Sequence, residues 1–373
     1  MRSLLRHSCL AITLVFAPIE TGAAALPAAP DPACRYETRL DGHLSSLRPL
    51  DNTPASNPVT RQGAALGRVL FFDHALSANG LVACSSCHSQ EIGFDDPTRF
   101  SIGFQGRITR RSAMALANAR FNPDGRYFRD LRAESLEAQV LDPFTDEIEM
   151  GLKPGELVGK VAEQPYYEAL FNAAFGDPAI TQQRIAQALA QFVRSITSLN
   201  SRYDAERAKA GSPQDDFPGF SAQENRGKQL FMTPAEKGGG GCIECHESEA
   251  FIMIEPRDNG LPLVPGREDQ GLGEMTGRPQ DMGKFRAASL RNIALSAPYM
   301  HDGRFATLDE VIEHYSSGVV EKPNLASELR DKDGKPAKLN LSRDDHLALA
   351  AFLQSLTDEN LPGDKCFSDP FRR

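Results

Sequence analysis

The sequence contains no tryptophan among its 373 residues, so no electron path through the folded chain can use an indole. It has no excess of positive charge. Forty-one Lys and Arg against 50 Asp and Glu leave a net charge of −9 and a pI near 5.5. That balance argues against a surface that tracks a nucleic-acid backbone, and against a polybasic membrane face. The sequence also lacks the roughly 18 uninterrupted apolar residues that a membrane span needs, so no membrane-spanning helix is expected. With 40% hydrophobic and 24% charged residues, the composition excludes a disordered or fibrous chain and leaves room for two domains.

The chain opens with MRSLLRHSCLAITLVFAPIETGAAALPAAP, in which Arg2 and Arg6 precede an apolar run from Cys9 to about Ile19 and small residues follow from Gly22 to Ala25. This pattern reads as a secretory signal peptide over 1–24, cleaved near Ala24, which places the mature protein in the periplasm. Cys9 leaves with it. Four of the six remaining cysteines stand in two copies of one pattern, Cys84-Ser-Ser-Cys87-His88 and Cys242-Ile-Glu-Cys245-His246. Two thiols placed to form thioethers with haem vinyl groups, followed by an imidazole placed under the iron, make the c-type haem attachment motif. A zinc site would instead gather four ligands at one point.

Both motifs close an internal repeat, GRVLFFDHALSANGLVACSSCH from Gly67 and GKQLFMTPAEKGGGGCIECH from Gly227, which implies one haem per domain. The expected organisation is an N-terminal haem domain over 25–203, a linker rich in Pro, Gly and charge over 204–221 (DAERAKAGSPQDDFPGFS), and a C-terminal haem domain over 222–373. Ile185, Leu189, Phe192, Val193 and Ile196 recur at helical spacing, as do Leu349, Phe352, Leu353 and Leu356. Strand signals are sparse, so the fold is expected to be mainly α. Cys34 and Cys366 remain, an even pair that in an oxidising compartment most simply forms a disulfide.

From LGRVLFFDHALSANG to SLRNIALSAPYMHDGRFATLDEVIEHY, the chain resembles the bacterial dihaem cytochrome c peroxidases, the family that includes MauG. The resemblance implies two cytochrome c-like helical domains, peroxide activation at the N-terminal haem and electron transfer at the C-terminal one. In classical members a histidine after the first motif closes the first iron. In this chain the matching residue is Phe104, which cannot ligate, so the first haem is expected to be open; His74 is read as a surface or propionate contact. LEAQVLDPFTDEIEMG matches the distal segment of the family and places Gln139, Pro143 and Glu149 there. Glu149 is read as the acid–base catalyst that moves a proton between the oxygens of H2O2, and Gln139 as the group that orients the peroxide.

For the second iron, Thr307-Leu308-Asp309-Glu310 reads as a capping box opening a helix whose Leu308, Val311, Ile312 and Tyr315 share one face. The resemblance makes Tyr315 the sixth ligand, where classical members have methionine, with Met300 and His301 as alternatives. A phenolate ligand favours the ferric iron and a low potential, which leans toward a MauG-like enzyme. Two departures stand out. Where the family carries a tryptophan between its haems, the chain has Arg129 in Tyr127-Phe128-Arg129-Asp130, leaving Tyr127, Phe128, Tyr299 or the porphyrin edges as the path. The family also holds a calcium ion through an asparagine and two carbonyls; Ser112 replaces the asparagine, while Ser296 and Pro298 keep the carbonyl positions. Arg291, in SLRNIAL, is read as a haem propionate contact. The expected partners are H2O2 and a redox partner, either a small cytochrome c or another periplasmic protein. The competing class is a non-enzymatic dihaem electron carrier.

Overall fold

The structure, a computed structural model, describes residues 26–29 and 31–372; the signal peptide assigned to 1–24 lies outside them. It is mainly helical, and among the described residues β structure is confined to isolated bridges. No helix among them is long and apolar enough to cross a membrane.

Two helix pairs of the same design frame the molecule. Thr60 caps Arg61–Phe72 by accepting from the Gly63 N–H, and Thr181 caps Gln182–Ser195 in the same way from Arg184. Capping boxes Ser221/Glu224 and Ser342/Asp345 open the second pair, Ala222–Met232 and Arg343–Ser355. Each pair crosses at a glycine. A Cβ on Gly67 would lie 2.0 Å from the Ala188 carbonyl oxygen, and one on Gly227 would lie 1.9 Å from that of Ala348. The repeat seen in the sequence is therefore a repeated backbone-to-backbone crossing that any side chain would force apart.

Aromatic rings fill the angle behind each crossing. Phe71, Phe94 and Phe192 form a triangle with centroids 5.2 to 6.4 Å apart, and Phe231, Phe251 and Phe352 repeat it at 5.2 to 6.2 Å. Phe94 and Phe251 both have positive φ, +62° and +50°, a costly conformation for a bulky residue. The same unusual turn thus follows each haem motif.

The boundaries differ from those expected at two places. Segment 204–221 is not a solvent linker: Arg202–Arg207 is a helix, Asp204 is buried, and Phe217 packs on Tyr203 and Phe220 on Phe217 in the second core. The C-terminal tail is not part of the second domain's core either. It returns to the first, where Leu361 and Phe367 are buried, Gln90 donates to the carbonyls of Leu361 and Asp364, and Cys366 is bonded to Cys34. Arginines knit the two halves. Arg111 grips Asp269 at 2.6 and 2.8 Å, and Arg286 grips Asp124 at 2.7 and 2.6 Å.

Candidate haem sites

Each motif folds as one tight turn. The His88 N–H donates to the Cys84 carbonyl at 3.0 Å and the His246 N–H to that of Cys242 at 2.9 Å, which brings each imidazole back over its cysteine pair. The His88 Nδ1 lies 3.2 Å from the Phe94 carbonyl, the acceptor that the positive φ turns inward. Donation from Nδ1 leaves the Nε2 lone pair free. Burial lowers the pKa of both rings, that of His246 to about 4, so both are neutral at pH 7. The His246 Nδ1 is buried without a partner.

Two cavities accompany these rings. Cys87 and His88 line the first, of about 430 Å³; Cys242, Cys245 and His246 line the second, of about 240 Å³. Cys84 packs against the first core. Paired free thiols beside a neutral imidazole at a mostly apolar cavity are the donor set that a covalently attached haem requires, so the residues present fit it.

Gln139, Pro143 and Glu149 line the first cavity with His88. Gln139 ends the short Leu136–Gln139 helix, capped by Ser135. Asp146 shapes the next loop by accepting the N–H groups of Ile148 and Glu149 at 2.7 and 3.1 Å. Burial pushes the Glu149 carboxyl up to about 7, Asp146 and Asp142 add to the rise, and Arg132 opposes it. Phe104 is fastened to this loop, its N–H donating to the carbonyls of Ile148 at 2.6 Å and Glu149 at 2.9 Å. Its ring lies against Gly151, where a Cβ would come within 2.5 Å.

At the second cavity, the Thr307/Glu310 capping box is present and Leu308, Val311, Ile312 and Tyr315 all line the wall. The helix Leu308–Glu313 runs into a π turn over His314–Gly318, a wider turn that often marks functional sites. Burial pushes the Tyr315 phenol up to about 12, so it ionises near pH 7 only against a strong local positive charge. Met300 and His301 line the same cavity. His301 stacks flat on Phe285 at 4.0 Å.

Asn259, which no spacing in the sequence singles out, organises this wall. Its side-chain amide donates to the Tyr315 hydroxyl at 3.4 Å and reaches the Met300 sulfur at 3.6 Å, and its backbone carbonyl lies 3.0 Å from His314 Nε2. Arg132 is a second such residue: it lies 3.4 Å over the Phe128 ring at the first cavity. A lone asparagine or arginine in a loop carries no spacing signal.

Arg291 requires a correction. It is 1% exposed, lines neither cavity, and spends its donors on Asp204 at 2.7 and 2.9 Å and on the Glu249 carbonyl at 2.8 and 2.6 Å. With those donors engaged it is a buried ion-pair partner and not a propionate contact. His74 is exposed, with Nδ1 3.0 Å from the Leu81 carbonyl. Tyr127 and Phe128 line the first cavity and Tyr299 the second, while Arg129 lines both. Ser112, Ser296 and Pro298 also come together at the second cavity. Among the described residues no group of three or more His, Cys, Asp or Glu side chains is placed to hold a metal ion.

A family model described as di-haem cytochrome c peroxidase matches residues 61–211. The methylamine utilization protein MauG of Methylophilus methylotrophus is 34% identical over 312 residues, 81% of this chain and 84% of its own. The chain belongs to the di-haem cytochrome c peroxidase family. Within it, the cytochrome c551 peroxidase of Nitrosomonas europaea is 31% identical over 277 residues, 73% of this chain and 78% of its own. A crystal structure of a MauG-like protein associated with microbial copper homeostasis superimposes with a TM-score of 0.73 at 35% identity, over 86% of this chain and 97% of that one. A di-haem cytochrome c peroxidase is a haem peroxidase enzyme carrying two c-type haems, and the carrier reading gives way to it.

Proposed function

We propose that this protein is a periplasmic dihaem peroxidase in which H2O2 reacts at the His88 haem and oxidising equivalents pass to a second haem held by His246 and Tyr315. Haem, attached through Cys84/Cys87 and Cys242/Cys245, supplies the iron that binds H2O2 and stores the two oxidising equivalents. Every other step falls to the chain. Glu149 takes a proton from one oxygen of H2O2 and returns it to the other, which leaves as water. Glu149 shares the wall of one cavity with His88, and this placement carries the proposal; burial, which pushes its carboxyl up to about 7, matches it to both halves of that transfer. Gln139, on the same wall, orients the peroxide. Phe104 offers iron no donor atom and is packed away on the Glu149 loop, so this chain does not close its own peroxide site.

The reductant is a protein outside the chain. Tyr315 favours a low-potential second haem and hence the MauG-like reading, oxidation of a partner protein's side chains, over rapid turnover of a small cytochrome c. The oxidised holoenzyme should show one high-spin ferric haem that changes within milliseconds of adding H2O2, and slow steady-state turnover with reduced cytochrome c. Absence of the high-spin signal would sink the open-site reading. Fast cytochrome c turnover would overturn the MauG-like lean and leave the peroxidase assignment standing.

A further inference from the structure

We infer that Tyr166, Tyr167 and Asp73 form a second redox site, where an oxidising equivalent from the first haem reaches a partly exposed tyrosine and is spent on a one-electron donor outside the chain. The inference rests on the peroxide reaction proposed above. Asp73 is buried at the end of the Arg61–Phe72 helix. One oxygen of its carboxylate serves both phenols: the Tyr166 and Tyr167 hydroxyls each donate to Oδ2 at 2.7 Å, while Oδ1 accepts the Ala75 N–H at 2.9 Å. The two rings lie 4.8 Å apart between centroids. Tyr167 is fully buried in the first core, against which the haem-attaching Cys84 also packs, and Cys84 is among the groups that act on its phenol. Tyr166 is the half-buried member of the pair. The three groups thus lead outward from the core that holds the first haem motif.

In a chain without tryptophan, tyrosine is the aromatic side chain that gives up an electron most readily, and its phenol must pass its proton to a base as it does so. The other tyrosines lack such a base or such exposure. Tyr127 lines the first cavity, but its hydroxyl meets only the Asn52 amide at 2.6 Å and the Ala119 carbonyl at 3.0 Å. Tyr36 and Tyr299 donate to backbone carbonyls, and Tyr315 is bonded to Asn259. Tyr203 does reach a carboxylate, Glu249 at 2.9 Å, but it is buried in the second core and Arg207 holds that carboxylate at 2.8 Å. Asp73, by contrast, is bonded by neutral donors. Burial and the Asp73 charge raise both phenols of the pair, so each keeps its proton until an electron leaves. The step then balances. One electron passes from Tyr167 to the peroxide-oxidised first haem, the Tyr167 O–H bond breaks, and its proton bonds to Asp73 Oδ2. Tyr166 next gives an electron to the Tyr167 phenoxyl, which takes the proton back, while the Tyr166 proton moves to the same Oδ2. The external donor reduces the Tyr166 phenoxyl, and Asp73 returns the proton.

The test mixes the oxidised holoenzyme with H2O2 alone and freezes it for electron paramagnetic resonance. Wild type should show a tyrosyl radical that narrows when the tyrosine rings are deuterated, and a nitroso spin trap followed by peptide mapping should place the adduct on Tyr166. Tyr166→Phe should lose the adduct, and Tyr166→Phe/Tyr167→Phe should lose the radical, with both haem spectra retained. Asp73→Asn, which keeps the shape and removes the base, should lower the radical yield by about tenfold or more. A first haem that reacts with H2O2 without any tyrosyl signal would overturn the inference alone, as would a signal that survives in the double variant, an adduct on another tyrosine or an undiminished yield in Asp73→Asn. A first haem whose spectrum ignores H2O2 would overturn the peroxide reaction itself, and the inference with it.

Discussion

The backbone N–H of Phe104 donates to the carbonyl of Glu149 at 2.9 Å, so the residue that the resemblance aligns with a closing histidine is bonded to the residue proposed as the acid–base catalyst. Loss of a ligand and rigidity of the catalytic loop are one arrangement. Phe104→His keeps this backbone contact and supplies the donor atom that phenylalanine lacks, so the first haem of the oxidised holoenzyme should turn wholly or partly low-spin, as judged by its electron paramagnetic resonance signal.

Glu149 should set the pH dependence of the peroxide reaction. With its carboxyl near 7, the group is protonated below that pH and cannot accept a proton from H2O2, so the rate of the peroxide reaction should climb through about pH 7 and level off above it. Glu149→Gln should slow the reaction by about 10² to 10⁴ and abolish that inflection, with the haem spectra unchanged. Stopped-flow mixing with H2O2 across pH measures both.

Tyr315 should govern the second haem. Tyr315→Met exchanges an anionic oxygen donor for a thioether, and the midpoint potential of that haem should rise, with a methionine–sulfur band appearing in the near-infrared. A potential that stays put would remove Tyr315 from the iron.

The helix crossings should be intolerant of any side chain. Gly67→Ala and Gly227→Ala each place a methyl about half a normal contact distance from a carbonyl oxygen, with the Cβ of a buried phenylalanine, Phe192 or Phe352, also closer than contact. Each should cost about 1–3 kcal/mol or more, read as a lowered denaturation midpoint, and each should disturb chiefly the haem of its own half.

Arg291 should be structural. Arg291→Ala leaves Asp204 buried against no guanidinium, and the loss of one partner from such a pair costs about 3–5 kcal/mol. The carboxyl of Asp204 is held well below its ordinary range in the folded state, the desolvation that opposes this being outweighed by Arg291, His43 and Ser201. That contribution is complete above the unfolded pKa near 4 and is lost as pH falls toward the folded value, so acid should destabilise wild type more steeply than the variant. Acid titration of the circular dichroism signal compares the two.

How much of this is legible in the sequence depends on the kind of signal. The haem motifs, the duplicated helix–glycine–helix design and the face carrying Leu308, Val311, Ile312 and Tyr315 are local, and spacing alone reveals them. Arg291 misleads because its segment lies beside the second cavity in sequence while its guanidinium turns to Asp204, a partner 87 residues away. Asp204 to Ser221 misleads because Pro, Gly and charge look solvated until Phe217 packs on Tyr203 and Phe220 on Phe217. Asn259 is invisible: its value lies in reaching Met300, Tyr315 and His314 at once, which only the folded chain brings together.

The bond between Cys34 and Cys366 encloses both haem domains in a single covalent ring. A protease that cuts once anywhere inside that ring separates nothing: both fragments stay tethered until the disulfide is reduced, and a cut between the two haem motifs leaves one motif on each. In a compartment without a reducing thiol pool, the molecule would survive a first cut as one particle, and only a second cut could release a haem-bearing half.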